Sequence, residues 1–204
     1  VIAACRKCAV LPADFRRYER VHEAFLDALE KAVPAVESGG LGAAYADLSG
    51  LERLYPNRAK LLAELAGIAS SACGGLRVSA AAGPNKFVSG VAAEECPGLK
   101  IVPPEEAAVF LSPLPVDRLW VSDETRRRLL LFGLRRMGQV ASLDPAAMEA
   151  QFGKEGRRAW ELSRGIDGEP VAARRAFRPI VESLFFPSPL GEWPAFWAGV
   201  RELL

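Results

Sequence analysis

The sequence predicts an α+β chain in three parts. Helices and strands alternate first, an all-helical stretch follows, and a third α+β part begins near the C-terminus. Three observations predict this. Apolar residues at 3.6-residue spacing alternate with short apolar runs up to about residue 95. A cluster of prolines, Pro97, Pro103, Pro104, Pro113 and Pro115, punctuates the middle. From 117 to 165, short helical patterns are separated by turn residues with no β signal.

Taken in order, residues 1–5 read as the last turn of a helix, and Cys8–Leu11 as a short strand closed by Pro12. Over 13–32, Phe15, Tyr18, Val21, Phe25, Leu26 and Leu29 fall on one helical face. Gly39-Gly40 breaks the chain before a strand around Ala44–Leu48. Pro56 opens a helix that runs through Leu61, Leu62, Leu65 and Ile68 to about Cys73, where Gly74-Gly75 stops it. Leu76–Ala81 reads as a strand, Gly83-Pro84 as a turn and 85–95 as a helix. The short helices after 117 are separated by Trp120-Val121-Ser122, Phe132-Gly133-Leu134, Leu143-Asp144-Pro145 and Phe152-Gly153. Beyond Pro170, a linker with Arg174 and Arg175 leads to a strand at 180–186 and a helix at 193–204.

Composition excludes several classes. Half the chain is hydrophobic and a quarter is charged, which is globular composition rather than a disordered tail or a collagen-like fibre. No apolar run approaches the ~18 residues of a membrane span. The 26 basic and 25 acidic residues give a net charge of +1, which alone argues against nucleic acid. The distribution argues otherwise: between 118 and 178, 13 basic residues face 8 acidic ones. Cys5 and Cys8 form a CxxC, but His22 is the only histidine and no second pair stands at zinc spacing, so ordinary thiols are expected. A reduced, cytoplasmic protein with no signal peptide is the simplest reading. The chain starts inside an apolar run without a methionine and reads as a piece of something longer.

Four segments in order resemble the Y-family translesion DNA polymerases of the UmuC/DinB type. LPADFRRY precedes the long helix. VESGGLGAAYADLSG, Val36 to Gly50, is similar to the family's VE, SxDE and D-[LIV]-[ST]-G run. LRVSAAAGPNKFVSGVAA, Leu76 to Ala93, looks like its strand followed by NKxxAKxAS. LPVDRLW, continuing through FGLRRMGQVASL to WELSRGIDGEPV, resembles the helix-hairpin-helix thumb that ends in RGxDxxPV. The resemblance implies a partial palm over 1–114 (a mixed sheet with helices), an all-helical thumb over 115–170, and a linker with the start of an α+β little finger over 171–204.

The departures bear on function. Such polymerases use two Mg²⁺ ions held by hard oxygen ligands. The SxDE acids fall on Gly42 and Ala43, which carry no side-chain oxygen, and the first metal aspartate would lie upstream of Val1. The family's second lysine, which meets the triphosphate, aligns with Gly90. Lys86 remains as a weak phosphate contact or a solvated lysine. Asp47 and Glu37 are poor substitutes, Asp47 because odd spacing from Gly42 in a continuous strand puts it on the opposite face. In the thumb, the Gly-x-Gly phosphate turn is replaced by Val121-Ser122 and is one residue shorter. Ser122 is a good helix cap, and Asp123 and Glu124 after it repel phosphate.

The resemblance therefore implies a non-catalytic homologue of the ImuB type, with no Mg²⁺ required. It would grip duplex or primer–template DNA through Ser122, Arg126, Arg127, Arg128, Arg135, Arg136, Lys154, Arg157, Arg174 and Arg175. A sliding clamp and a separate error-prone polymerase are its implied partners, and no membrane. Two readings compete: an active polymerase using Mg²⁺ with its first acid upstream, and a truncated relic. Glu182–Phe186 loosely resembles a clamp-binding peptide, but strand is the expected state. Phe185, Phe186, Trp193, Phe196 and Trp197 read as core of the third part rather than a base-stacking surface.

Overall fold

A computed structural model describes residues 12–51, 53–55 and 57–174, together with Trp193, Trp197 and Arg201. Residues 1–174 form one compact unit and 175–204 another. Cys5, Cys8, the strand expected at Cys8–Leu11, Arg175 and the strand expected at 180–186 lie outside the described residues. Trp193 and Trp197, read as core from the sequence, are exposed.

The first helix, α1, spans Phe15–Glu30 and is capped by Asp14, whose carboxylate accepts from the Arg17 N–H at 3.0 Å. Only Phe25, Leu26 and Leu29 of its apolar face are buried. Phe15 and Tyr18 lie exposed, edge-on to each other, because the core begins a turn later. Pro34 cannot extend the helix. Two strands follow, β1 (Ala35–Ser38) and β2 (Ala44–Asp47), paired antiparallel with Glu37 opposite Tyr45. The loop between them closes through Gly39 N–H to Ala43 O and Ala43 N–H to Gly40 O, both 3.0 Å. The next helix, α2, runs Arg58–Ala72. It starts two residues beyond Pro56, because Asn57 supplies the cap through Oδ1 to the Lys60 N–H, 3.0 Å.

A compact β–α–β unit comes next. Strand β3 (Ala80–Ala82) and strand β4 (Leu99–Ile101) pair in parallel, and helix α3 (Lys86–Glu95) crosses between them. Parallel pairing requires such a crossover. Asn85 caps α3 by accepting from the Val88 N–H at 3.0 Å. The sequence gives little warning of β1 and β4, which are three or four residues long and flanked by proline and glycine.

The helical part comprises α4 (Ala107–Leu111), α5 (Asp123–Leu131), α6 (Met137–Ala141), α7 (Pro145–Phe152) and α8 (Lys154–Ser163). Ser122 caps α5 and Asp144 caps α7, with Pro145 at the first helical position. Helices α7 and α8 meet so closely that a Cβ at Gly156 would stand 2.2 Å from the Met148 carbonyl oxygen, so only glycine fits there.

Two apolar cores hold this together. One joins α1, β1 and α2 through Leu26, Leu29, Val36, Leu61, Leu65 and Ala69. The other joins α3 to the helical part: Phe87, Val88 and Val91 pack in one cluster with Leu111, Leu119, Leu129, Met137 and Leu162. Burying a side chain of this size stabilises by ~1.5–3 kcal/mol, so α3 and the helical part are held together as one body. The tail of α8 adds polar ties. Asn85 Nδ2 donates to Gly165 O at 2.8 Å, and the fully buried Asp167 carboxylate accepts from the Phe87 N–H at 3.3 Å and from Arg158 at 2.7 Å.

Candidate functional site

Gly42, Ala43, Lys86 and Gly90, far apart in sequence, line one open cleft of about 1630 Å³ between β2, the 78–82 segment, α1 and α2. The positions that the resemblance aligns with the metal acids and the triphosphate lysine therefore line the same cleft.

Gly42 is not in a strand. It sits in the β1–β2 loop with φ +85°, and Gly40 beside it has φ +97°, a region that glycine enters without cost. The parity argument over 42–47 therefore fails, because the strand begins only at Ala44. His22 of α1 ties the loop down: its Nδ1 accepts from the Gly42 N–H at 3.3 Å, and its Nε2 lies 2.9 Å from Ser38 Oγ. With Nδ1 accepting, Nε2 carries the proton and donates to the serine.

The neighbouring carboxylates are engaged. Asp47 Oδ1 accepts from the Ser49 N–H at 2.9 Å, and this bond holds its carboxyl below the usual range. Both oxygens of Glu37 receive the Lys86 ammonium at 3.0 Å, and Oε2 also accepts from the Ala172 N–H at 2.6 Å. The Lys86 side chain is only 10% exposed. Lys86 is thus drawn into an ion pair with Glu37, which does not itself line the cleft. Among the described residues, no group of three or more His, Cys, Asp or Glu is arranged to hold a metal ion.

Gly90 is enclosed rather than vacant. A Cβ there would lie 3.0 Å from the Tyr45 hydroxyl and 3.0 Å from the Trp120 ring. Trp120 is packed edge-on against Tyr45, centroids 5.8 Å apart, and against Phe87, 5.3 Å apart. Burial, aided by the negative charges of Glu94 and Glu37, pushes the Tyr45 hydroxyl pKa up. Sequence reasoning missed both aromatics, although Trp120 stands at the shortened turn that drew attention.

The basic residues of the helical part divide by their partners. Arg126 pairs with Asp123 and reaches the Asp117 and Leu119 carbonyls. Arg128 donates to Gln151 O at 2.6 Å and lies over the Phe152 ring. Arg157 pairs with Glu161 at 2.9 Å and stacks on Trp160. Arg174 pairs with Glu23, Asp27 and Glu30 along α1, while its N–H donates to Val36 O. Arg127, Arg135, Arg136 and Lys154 are exposed, and none forms an ion pair among the described residues. The backbone beneath Arg135 and Arg136 is pinned, since both N–H groups donate to Gln139 Oε1, at 2.8 and 2.9 Å.

At the α5 start, Ser122 does cap the helix, but its own groups are occupied. Its N–H donates to Glu155 Oε1 at 3.2 Å, and the Ser122 and Thr125 hydroxyls both donate to Glu155 Oε2. No sequence signal pairs these residues, which lie about thirty positions apart.

Comparison with known proteins fits this architecture. Residues 1–94 match the impB/mucB/samB family. The chain is 29% identical over 185 residues to DNA polymerase IV of Desulfatibacillum aliphaticivorans, covering 89% of this chain and 46% of that protein. It is 30% identical over 174 residues to DNA polymerase IV of Alkalilimnicola ehrlichii, covering 84% and 49%. It thus spans about half the length of these curated relatives. Among solved structures, a DinB family error-prone DNA polymerase from Sulfolobus solfataricus superposes with a TM-score of 0.69 at 21% identity, over 84% of this chain and 53% of that one. The insertion ternary complex of Dbh DNA polymerase gives 0.69 at 21%, over 83% and 51%. Among the described residues, no helix is long and apolar enough to cross a membrane. In sequence the chain is similar to curated DNA polymerase IV proteins, and in its α+β fold to solved DinB-family DNA polymerases.

Proposed function

We propose that this chain is a non-catalytic Y-family homologue that binds DNA as an adaptor in translesion synthesis and damage-induced mutagenesis, in the manner of the ImuB type. The observation that carries this reading is the Lys86–Glu37 pair beside Gly42 and Ala43. A nucleotide triphosphate with two cations needs unneutralised acids for the metals and a free ammonium for the phosphates. In the cleft Lys86 is bound to Glu37 rather than free, and Asp47 is engaged by the Ser49 N–H, so we assign the chain binding through the helical part. Its unpaired cations, Arg127, Arg135, Arg136 and Lys154, suit a sequence-independent hold on phosphates. A sliding clamp and a separate error-prone polymerase are the proposed partners.

Primer extension with Mg²⁺ on a primed template, run on this chain and on the longest protein that contains it, tests the reading. The expected result is salt-sensitive duplex binding with no nucleotide addition. Addition that a chelator abolishes would overturn it and favour the second reading, an active polymerase, which the names of the relatives support. A chain that neither melts cooperatively nor binds duplex would favour the relic.

A further inference from the structure

The turn of residues 119–122, the first hairpin of the helical part, ends at the N-terminus of α5, where unpaired N–H groups and the helix dipole favour an anion. That place already holds one. The Glu155 carboxylate, from the first turn of α8, accepts from the Ser122 N–H, the Ser122 hydroxyl and the Thr125 hydroxyl. Both carboxylate oxygens are used, and Thr125 is buried beneath them. The carboxylate stands close to two helix N-termini at once, that of α5 and that of its own α8. Asp123 and Glu124 add two more negative charges in the same turn.

We propose that Glu155 is an internal blocking anion that keeps nucleic-acid phosphate off the α5 N-terminus, so that the duplex backbone is held by the unpaired cations elsewhere in the helical part. This rests on the DNA-binding reading above and adds to it a residue that sets how tightly the first hairpin engages phosphate. Two anions cannot share three donors, and a tethered carboxylate competes at high local concentration with any phosphate that arrives. The Ser122 cap on Thr125 persists without Glu155, since it is made by Ser122 Oγ alone, so releasing the carboxylate exposes donors without dismantling the helix start.

The test compares the whole chain with Glu155→Gln, Glu155→Ala and, as a charge control on another helix, Glu149→Gln. Two readouts are needed: duplex affinity as a function of salt, and the amide NMR shifts of Ser122–Thr125 titrated with inorganic phosphate. Both Glu155 variants are expected to bind duplex about three- to tenfold more tightly at low salt, with a salt slope steeper by about one phosphate contact. Their 122–125 amides should respond to phosphate where those of the parent chain do not. Glu149→Gln should gain less affinity and show no such response. Equal phosphate responses in the parent and the Glu155 variants would overturn the blocking role, as would Glu155 variants that bind duplex no better than Glu149→Gln. If phosphate moves these amides in the variants yet no form binds duplex, the blocking role stands and the DNA-binding reading falls.

Discussion

The cleft and the helical part both carry charged residues that the sequence marks as ligand-facing, yet they treat them in opposite ways. At the cleft, the Lys86 ammonium is bonded to Glu37 and is only 10% exposed. In the helical part, some arginines are drawn into the protein, while Arg127, Arg135, Arg136 and Lys154 stand exposed without an ion pair among the described residues. A charge seen in sequence does not say whether water, an external ligand or an internal partner meets it. Only the fold says whether a partner is internal.

The sharpest way to break the contrast is to strand one charge of the cleft pair. Glu37→Ala leaves the nearly buried Lys86 ammonium without its two bonds and should cost about 3 kcal/mol in urea unfolding. Glu37→Met combined with Lys86→Met should recover most of that loss, because a matched apolar pair leaves no charge behind. If Glu37→Ala proves neutral, the pair is not internal in solution, and Lys86 returns as a phosphate ligand.

A second strike places at Gly90 the lysine that the resemblance implies there. Gly90→Lys would push a Cβ against Tyr45 and Trp120, each 3.0 Å away, and should cost about 2 kcal/mol through overpacking. It should leave nucleotide binding undetectable by equilibrium dialysis. Nucleotide capture by that single variant would mean that the cleft is otherwise intact.

In the helical part the arginines should separate into two classes. Arg127→Ala with Arg135→Ala and Arg136→Ala should lower duplex affinity about tenfold at low salt, flatten the salt dependence and leave melting unchanged. Arg174→Ala should do the reverse, lowering the melting temperature through loss of its bonds to Glu23, Asp27 and Glu30 while leaving affinity alone. Arg126 and Arg128 belong with neither set, since their bonds to loop carbonyls make truncation a structural change as well.

How far these classes were legible in the sequence follows from the range of the interactions. Helices α1, α2, α3 and α5 were readable because periodicity, caps and glycine stops are local. The expectation that Gly42 and Ala43 stand where the resemblance puts metal acids likewise rests on a local motif alone. Strands β1 and β4 were not, being too short to show alternation. Nor were the Lys86–Glu37 pair, the Trp120–Tyr45 packing over Gly90, or the hold of Arg174 on α1. Each joins residues about 30 to 150 positions apart, and a sequence pattern carries no term for which of many carboxylates or rings will meet a given partner. Ser122 shows the limit most clearly: its capping role was legible, and the anion it already holds was not.

The smallest effect tests that last point through pH. The Ser122 hydroxyl, then the Thr125 hydroxyl, holds the Glu155 carboxyl below the usual carboxylate range, against a small opposing effect of burial. A carboxyl whose folded pKa lies below its unfolded value stabilises the fold fully above the unfolded value, and that contribution disappears as pH falls through the folded one. The chain should therefore lose stability, relative to Glu155→Gln, as pH drops from about 5 into the acid range. At neutral pH the difference should be constant. Asp47 is depressed in the same direction by its bonds to Ser49, so acid will also weaken the β2 end in both proteins, and only the difference between parent and variant isolates Glu155. Urea midpoints of the two proteins at matched pH values read this directly. A difference that does not change between pH 7 and pH 3 would mean that the carboxylate is not bonded at the α5 start in solution, and the first hairpin would then be as open to phosphate as the arginines around it.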